Sequence, residues 1–238
     1  MMKEKVKATF NQLASVYENS VDTTSLYNCE YERPAMFEQI PHDLTNMNIL
    51  DAGCAAGWYT LQLVNRGANV VATDISSEMV HSTRKRVGDK AKVLCMDLEE
   101  KLPFEDNSFD FIISSLTLHY IRGWSHTFRE FQRILKPKGR LLFSIHHPFT
   151  DIKLLQDANY FSTELIIDQW KKEGKSFEVP FYRRPLQQIL NETLSYFSIG
   201  EVIEPTPTQR FKALAPEKYD RLMKSPQFLI IKAIHHPL

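Results

Sequence analysis

From Asn48 onward the chain alternates between two textures, and this alternation restricts the fold more than any other feature. The first texture is short apolar runs of strand length: NILDA (48–52), NVVATD (69–74), AKVLCM (91–96), FDFIISS (109–115) and GRLLFSI (139–145). The second is amphipathic segments of helical period: WYTLQLVNRG (58–67), SEMVHSTRKRV (77–87) and WSHTFREFQRILKPKG (124–139). Strand and helix in strict turn call for a parallel sheet covered on both faces, joined by right-handed crossovers. The strands are rich in Val, Ile and Leu, as burial on both sides requires.

The flanks read differently. Val6, Phe10, Leu13 and Tyr17 recur at three- and four-residue steps, which predicts an N-terminal helix, and EYERPAMFEQI (30–40) predicts a second short one. SVDTTSLYN (20–28), between them, reads as a polar loop. After Pro148 the alternation breaks into a mixed, aromatic-rich stretch up to Arg184. PLQQILNETLSYF (185–197) then reads as a helix, and SIGEVIEPTP and QFLIIKAIHH as two more strands, the latter apolar enough to lie inside the sheet. The expectation is one domain over 1–238, with an N-terminal helical cap over 1–45 and an insertion over 149–185 forming part of a substrate cap.

Lys plus Arg equals Asp plus Glu at 29 each, so no global positive field gathers nucleic acid or an anionic membrane. Three dispersed cysteines, Cys29, Cys54 and Cys95, form neither a disulfide framework nor a zinc motif. The first twenty residues are charged where a signal peptide needs an unbroken apolar core, and no run approaches the roughly 20 apolar residues of a membrane span. A cytoplasmic protein, monomer or homodimer, is expected, with neither nucleic acid nor membrane as partner.

The chemistry concentrates in LDAGCAAG (50–57), where a strand runs into a Gly-bearing turn and then a helix. Ligands of open α/β sheets sit at such carboxyl ends. A dinucleotide fingerprint requires G-x-G-x-x-G, but here Ala55 and Trp58 stand at the second and third glycine positions after Gly53. Asp51 would repel each charge of a pyrophosphate by about 4 kcal/mol at 4 Å and an effective dielectric near 20. That disfavours a nicotinamide dinucleotide and favours a ligand bearing an ammonium or a sulfonium.

At these residues the chain resembles the class I methyltransferases that use S-adenosyl-L-methionine, in particular the small-molecule branch similar to ubiquinone- and biotin-pathway methyltransferases. The resemblance runs from Asn48 to Pro148. It implies a Rossmann-like three-layer sandwich, α/β, with a seven-stranded mostly parallel sheet whose last strand is antiparallel. LDAGCAAG resembles the family's first motif, which assigns Asp51, Gly53, Ala55 and Gly57 to the cofactor. Asp74, about twenty residues beyond Gly53, stands where an acid accepts both ribose hydroxyls. The resemblance adds Ile75 and Met79 after it, Met96, Asp97 and Leu98 around the adenine, and Ser115 at the end of the fourth strand.

Methyl transfer needs alignment and exclusion of water more than covalent help, and a base only when the acceptor must first lose a proton. His119 and His146, at the ends of the fourth and fifth strands, are the candidate bases, and Tyr17 is the residue expected to fold across the cofactor with the N-terminal segment. Tyr27 and Tyr31 are placed with Tyr17. FYRRPLQQIL resembles a further, less specific signature, in which Arg184 could pair with an acidic acceptor or simply form a structural salt bridge. No carboxylate accompanies the histidines at a facial-triad spacing, so no metal is expected; His235 and His236 are given no role. The family branch that methylates amide or adenine nitrogens often carries Asn or Asp followed by Pro-Pro and an aromatic after the fourth strand; SSLTLHY has none of this, which, with zero net charge, points away from DNA and toward a small-molecule acceptor. A nicotinamide-dependent oxidoreductase and a non-catalytic cofactor sensor are the alternatives.

Overall fold

A computed structural model describes residues 2–235, and His236 lies outside the described residues. Seven strands form one sheet: β1 (Asn48–Ala52), β2 (Asn69–Asp74), β3 (Ala91–Cys95), β4 (Phe109–Ser115), β5 (Leu135–His146), β8 (Ser198–Ile203) and β9 (Phe228–Ile234). Their order is β3-β2-β1-β4-β5-β9-β8. Pairings from β3 through β5 are parallel, and β9 runs antiparallel between β5 and β8. Asp51 pairs in register with Ala72 on one side and Ile113 on the other, so β1, β2 and β4 end on one line.

The helices that cover this sheet follow from the apolar stripes. Trp58–Asn65 and Ser77–Val87 fill the first two crossovers, and Ser125–Ile134 buries Phe128, Phe131 and Ile134 against Leu141 and Phe143 of β5. Each such side chain contributes about 1.5–3 kcal/mol of burial. Ser76 caps the second of these helices by accepting from Met79 N at 3.1 Å.

Four expectations change. The helix foreseen to Gly139 stops at Ile134, and LKPKG opens β5, because Pro137 lacks the N–H that a helix interior needs. Residues 20–28 are largely helical rather than a loop, since Asp22 is held by the guanidinium groups of Arg33 and Arg86 and Val21 is buried. The mixed stretch contains a hairpin, β6 (Glu164–Lys172) with β7 (Lys175–Arg183), turning at Glu173 and Gly174 with φ of 48° and 74°. Two short helices, Gln209–Leu214 and Pro216–Leu222, follow β8. The N-terminal helix, Met2–Val16, lies across the Ser77–Val87 helix and touches β7.

Candidate active site

Gly53 N and Cys54 N both donate to Thr73 O, at 2.8 and 2.9 Å, which folds the chain sharply after β1. Gly53 has φ +86°, and a Cβ there would stand 2.2 Å from Thr117 Oγ1. Bare backbone is therefore enforced at the tip of β1 by the turn after β4. Ala55 adopts φ 46°, its N–H donating to Asp74 Oδ2 at 2.9 Å and its carbonyl accepting from Thr83 at 2.7 Å. Asp74 Oδ1 accepts from Ser76 N at 2.9 Å. Burial pushes the Asp74 carboxyl up to about 6 against the pull of these backbone donors.

These groups form the floor of one cavity. Of the predicted site residues, Tyr17, Gly53, Ala55, Asp74, Ile75, Met96, Asp97, Leu98 and Ser115 line it. Ile75, Met96 and Leu98 supply apolar wall between two carboxylates, Asp74 near the glycine turn and Asp97 at the far end. Asp97 Oδ1 accepts from Glu99 N at 2.8 Å, and its other oxygen pairs with the Lys3 ammonium. Asn11 Oδ1, from the same N-terminal helix, accepts from Ser76 Oγ at 2.7 Å, so that helix roofs the cavity from end to end.

Five predicted residues stand outside the wall. Asp51 turns away from the cavity and accepts from Thr60 Oγ1 at 2.6 Å, 1 % exposed; burial raises its carboxyl to about 7, Thr60 opposing and Asp74 adding. The acids lining the cavity are thus Asp22, Asp74, Asp97 and Glu99, and Asp51 is a layer behind. Gly57, φ +80°, precedes the Trp58–Asn65 helix and abuts Thr83, while Met79 packs against Leu13 and Ala14. His119 is buried and His146 half-buried, their rings stacked at 4.1 Å, and neither lines the cavity. Tyr31 is wholly buried with its hydroxyl accepting from Gln227 N, and Tyr27 accepts from Arg221, so neither joins Tyr17. Arg184 donates to the carbonyls of Ile121 and Arg122 over the Trp124 ring.

Sequence reasoning passed over Glu32 and Arg33. Arg33 lines the cavity, paired with Asp22 and stacked 4.2 Å over Trp58, its Nε without a partner. Glu32 is fully buried: Oε1 accepts from Ser115 and Ser144 at 2.8 and 2.6 Å, and Oε2 from Tyr59 at 2.9 Å. Charged residues facing inward on a short helix, Glu32 and Arg33 in EYERPAM, were the available signal.

The fold superposes on a Listeria monocytogenes crystal structure with a TM-score of 0.75 and 24% identity, covering 87% of this chain and 97% of that one. A Mesorhizobium loti S-adenosylmethionine dependent methyltransferase structure gives 0.68 and 27%, covering 86% and 97%. The family described as methyltransferase domain matches residues 50–143. This chain has the fold of the class I methyltransferases and carries their motifs in the same order. Among curated relatives of this chain, the biotin biosynthesis bifunctional protein BioHC of Cellvibrio japonicus is 32% identical over 152 residues, 64% of this chain and 29% of that protein. The malonyl-[acyl-carrier protein] O-methyltransferase of Priestia megaterium is 28% identical over 201 residues, 81% and 68% of the two chains. The match thus spans under a third of the bifunctional relative. The cofactor of this fold is S-adenosyl-L-methionine, and the cavity fits it: a glycine that no side chain can replace, flanking carboxylates, and an apolar stretch between them. Among the described residues no helix is long and apolar enough to cross a membrane.

Proposed function

We infer that the protein transfers a methyl group from S-adenosyl-L-methionine to a small-molecule acceptor in the cytoplasm. The observation that carries this reading is the convergence on one cavity of residues from four separate sequence motifs: Gly53 and Ala55, Asp74 and Ile75, Met96 to Leu98, and Ser115. When bound, the cofactor supplies an electrophilic methyl carbon on a positively charged sulfur.

The chain's own residues do the rest. The Gly53–Ala55 backbone gives close approach, Asp74 accepts the ribose hydroxyls, and Ile75, Met96 and Leu98 enclose the base, with Asp97 beside its amino group. Arg33, with its unpartnered Nε, is the cation placed to hold a carboxylate. Tyr17, Phe10 and Tyr120, in edge contact at 6.3 and 4.9 Å, exclude water from the acceptor side. Residues 1–45 and 149–185 together cover the acceptor. Neither an S-adenosylmethionine sensor nor a nicotinamide enzyme is needed to account for this wall, whose four acids outnumber its two cations, Lys3 and Arg33, and oppose a phosphate chain.

The assay is formation of S-adenosylhomocysteine from S-adenosyl-L-methionine over a metabolite panel. Turnover that depends on an added acceptor and disappears in Asp74→Ala supports the reading. Cofactor binding with no transfer to any acceptor would favour the sensor.

A further inference from the structure

Asp97 follows β3 and Ser115 ends β4, with β2 and β1 between them, so the cavity has a second polar end away from Asp97. Ser115, Tyr59 of the Trp58–Asn65 helix, Asn28 and Arg33 line it. Glu32 lies behind this wall, fully buried and outside it. Its Oε1 accepts from Ser115 and Ser144 at 2.8 and 2.6 Å, and its Oε2 from Tyr59 at 2.9 Å. A carboxylate can only accept, so it fixes the direction of every hydroxyl around it. Ser144 is an independent check: its Oγ accepts from Leu116 N at 3.0 Å and gives its proton to Glu32.

Burial raises the Glu32 carboxyl, and Ser144, Ser115, Tyr59 and Arg33 all act the other way. Burial and the adjoining carboxylate push the Tyr59 phenol up, so that hydroxyl keeps the proton it donates. With their protons turned back to Glu32, the oxygens of Ser115 and Tyr59 have lone pairs alone to offer the cavity. The other two groups have the opposite character. Asn28 Oδ1 accepts from Ser25 Oγ at 2.7 Å, which leaves its amide N–H groups, and Arg33 has an Nε–H without a partner. Asp22 does not disturb this division, because its two oxygens pair with the guanidinium groups of Arg33 and Arg86. The charges around this end therefore cancel, Glu32 and Asp22 against Arg33 and Arg86. The complementary ligand chemistry is a zwitterion, its ammonium toward Ser115 and Tyr59 and its carboxylate toward Asn28 and Arg33.

We propose that Glu32 is a positioning residue that selects the α-ammonium of the cofactor's amino-acid arm through Ser115 and Tyr59, without touching the ligand itself. The inference rests on the S-adenosyl-L-methionine reading and deepens it. An amide in place of the carboxylate has N–H groups of its own to donate. A wall hydroxyl that accepts from it turns its proton into the cavity, against the protons of the ammonium. Recognition by groups of fixed polarity discriminates strongly against an analogue that lacks the matching group, because the wall is then left unpaired.

The test is titration calorimetry of the full chain with two ligands: S-adenosylhomocysteine, and its analogue that lacks the α-amino group but keeps the carboxylate. Hydrogen bonds to a charged group set the expected preference of the parent for S-adenosylhomocysteine at about tenfold to a hundredfold. Glu32→Gln should bring that preference below about threefold while the affinity for the analogue stays within about threefold of the parent. Adding Ser115→Ala to Glu32→Gln should change the preference little further, as expected of residues acting through one contact. Ser115→Ala and Tyr59→Phe, which keep the carboxylate, should each lower the preference on their own. A merely structural Glu32 would lose both ligands together. Equal loss of both ligands in Glu32→Gln, or full additivity in the double variant, overturns the proposal. So does a preference unchanged in both Ser115→Ala and Tyr59→Phe, whether or not Glu32→Gln folds. Failure of S-adenosylhomocysteine to bind the parent is a separate outcome, which brings down the cofactor reading beneath the proposal.

Discussion

Gly53 and Ala55 share one turn and one backbone region, φ +86° and 46°, but only Gly53 has a neighbour where its Cβ would be. Gly53→Ala therefore combines a left-handed penalty of about 1–2 kcal/mol with a clash against Thr117. Urea unfolding should show a loss of about 2–4 kcal/mol. Asp51 makes a different prediction. Its carboxyl rises from 3.8 to about 7 on folding, so the folded chain binds the extra proton and the unfolded chain does not. The stability it confers is complete below about pH 4 and is lost as pH climbs through 7. Asp51→Asn removes that dependence. Compared with the parent, the variant should gain on the order of 2–4 kcal/mol between pH 4 and pH 8 in parallel denaturation series. A constant difference across that range would mean Asp51 is ionised in the fold.

Among the elements, the parallel strands were legible because burial on both faces writes them as Val/Ile/Leu runs: β1, β2 and β4 fall on NILDA, NVVATD and FDFIISS without adjustment. The β6–β7 hairpin was not. Its strands pair only with each other, its outer face keeps Leu165 and Ile167 exposed beside charged neighbours, and its turn residue is Glu173 rather than Asn or Asp. The helical turns of 20–28 were hidden for a different reason: long-range contacts such as Asp22 with Arg86 stabilise them, and no local pattern reports these. Glu32 ties that segment to β4, β5 and Tyr59 through three hydroxyl donors. Glu32→Ala orphans all three, and thermal unfolding should register a loss of about 3 kcal/mol. The N-terminal helix is held more lightly, its Lys3 contact to Asp97 lying at a partly exposed position. Lys3→Ala should change stability by less than about 1 kcal/mol. Stopped-flow binding of S-adenosylhomocysteine should be several-fold faster in that variant, since Asp97 is freed and the roof loosened; a slower rate would show that Lys3 instead helps hold the ligand.

On the scale of the whole molecule, the glycine turn and the acids at the strand ends were readable as positions, because they recur at fixed places along the alternating pattern. Which of them face the ligand was not readable, since that depends on side-chain direction at the very end of a strand: Asp74 turns into the cavity and Asp51 turns to Thr60. The histidines were found for their strand-end positions, and their packing against Phe181 depends on a hairpin the sequence did not reveal. What unites the molecule is the charge of its central cavity, where Asp22, Asp74, Asp97 and Glu99 outnumber Lys3 and Arg33 and set a wall against phosphates even though the chain as a whole is neutral. Titration calorimetry of the intact protein with S-adenosylhomocysteine, run beside NAD, tests that account most directly. Saturable one-to-one binding of S-adenosylhomocysteine at micromolar concentration, lost in Asp74→Ala, with no heat from NAD, is the result the account predicts. Binding of NAD, together with silence from S-adenosylhomocysteine at millimolar concentration, would contradict it.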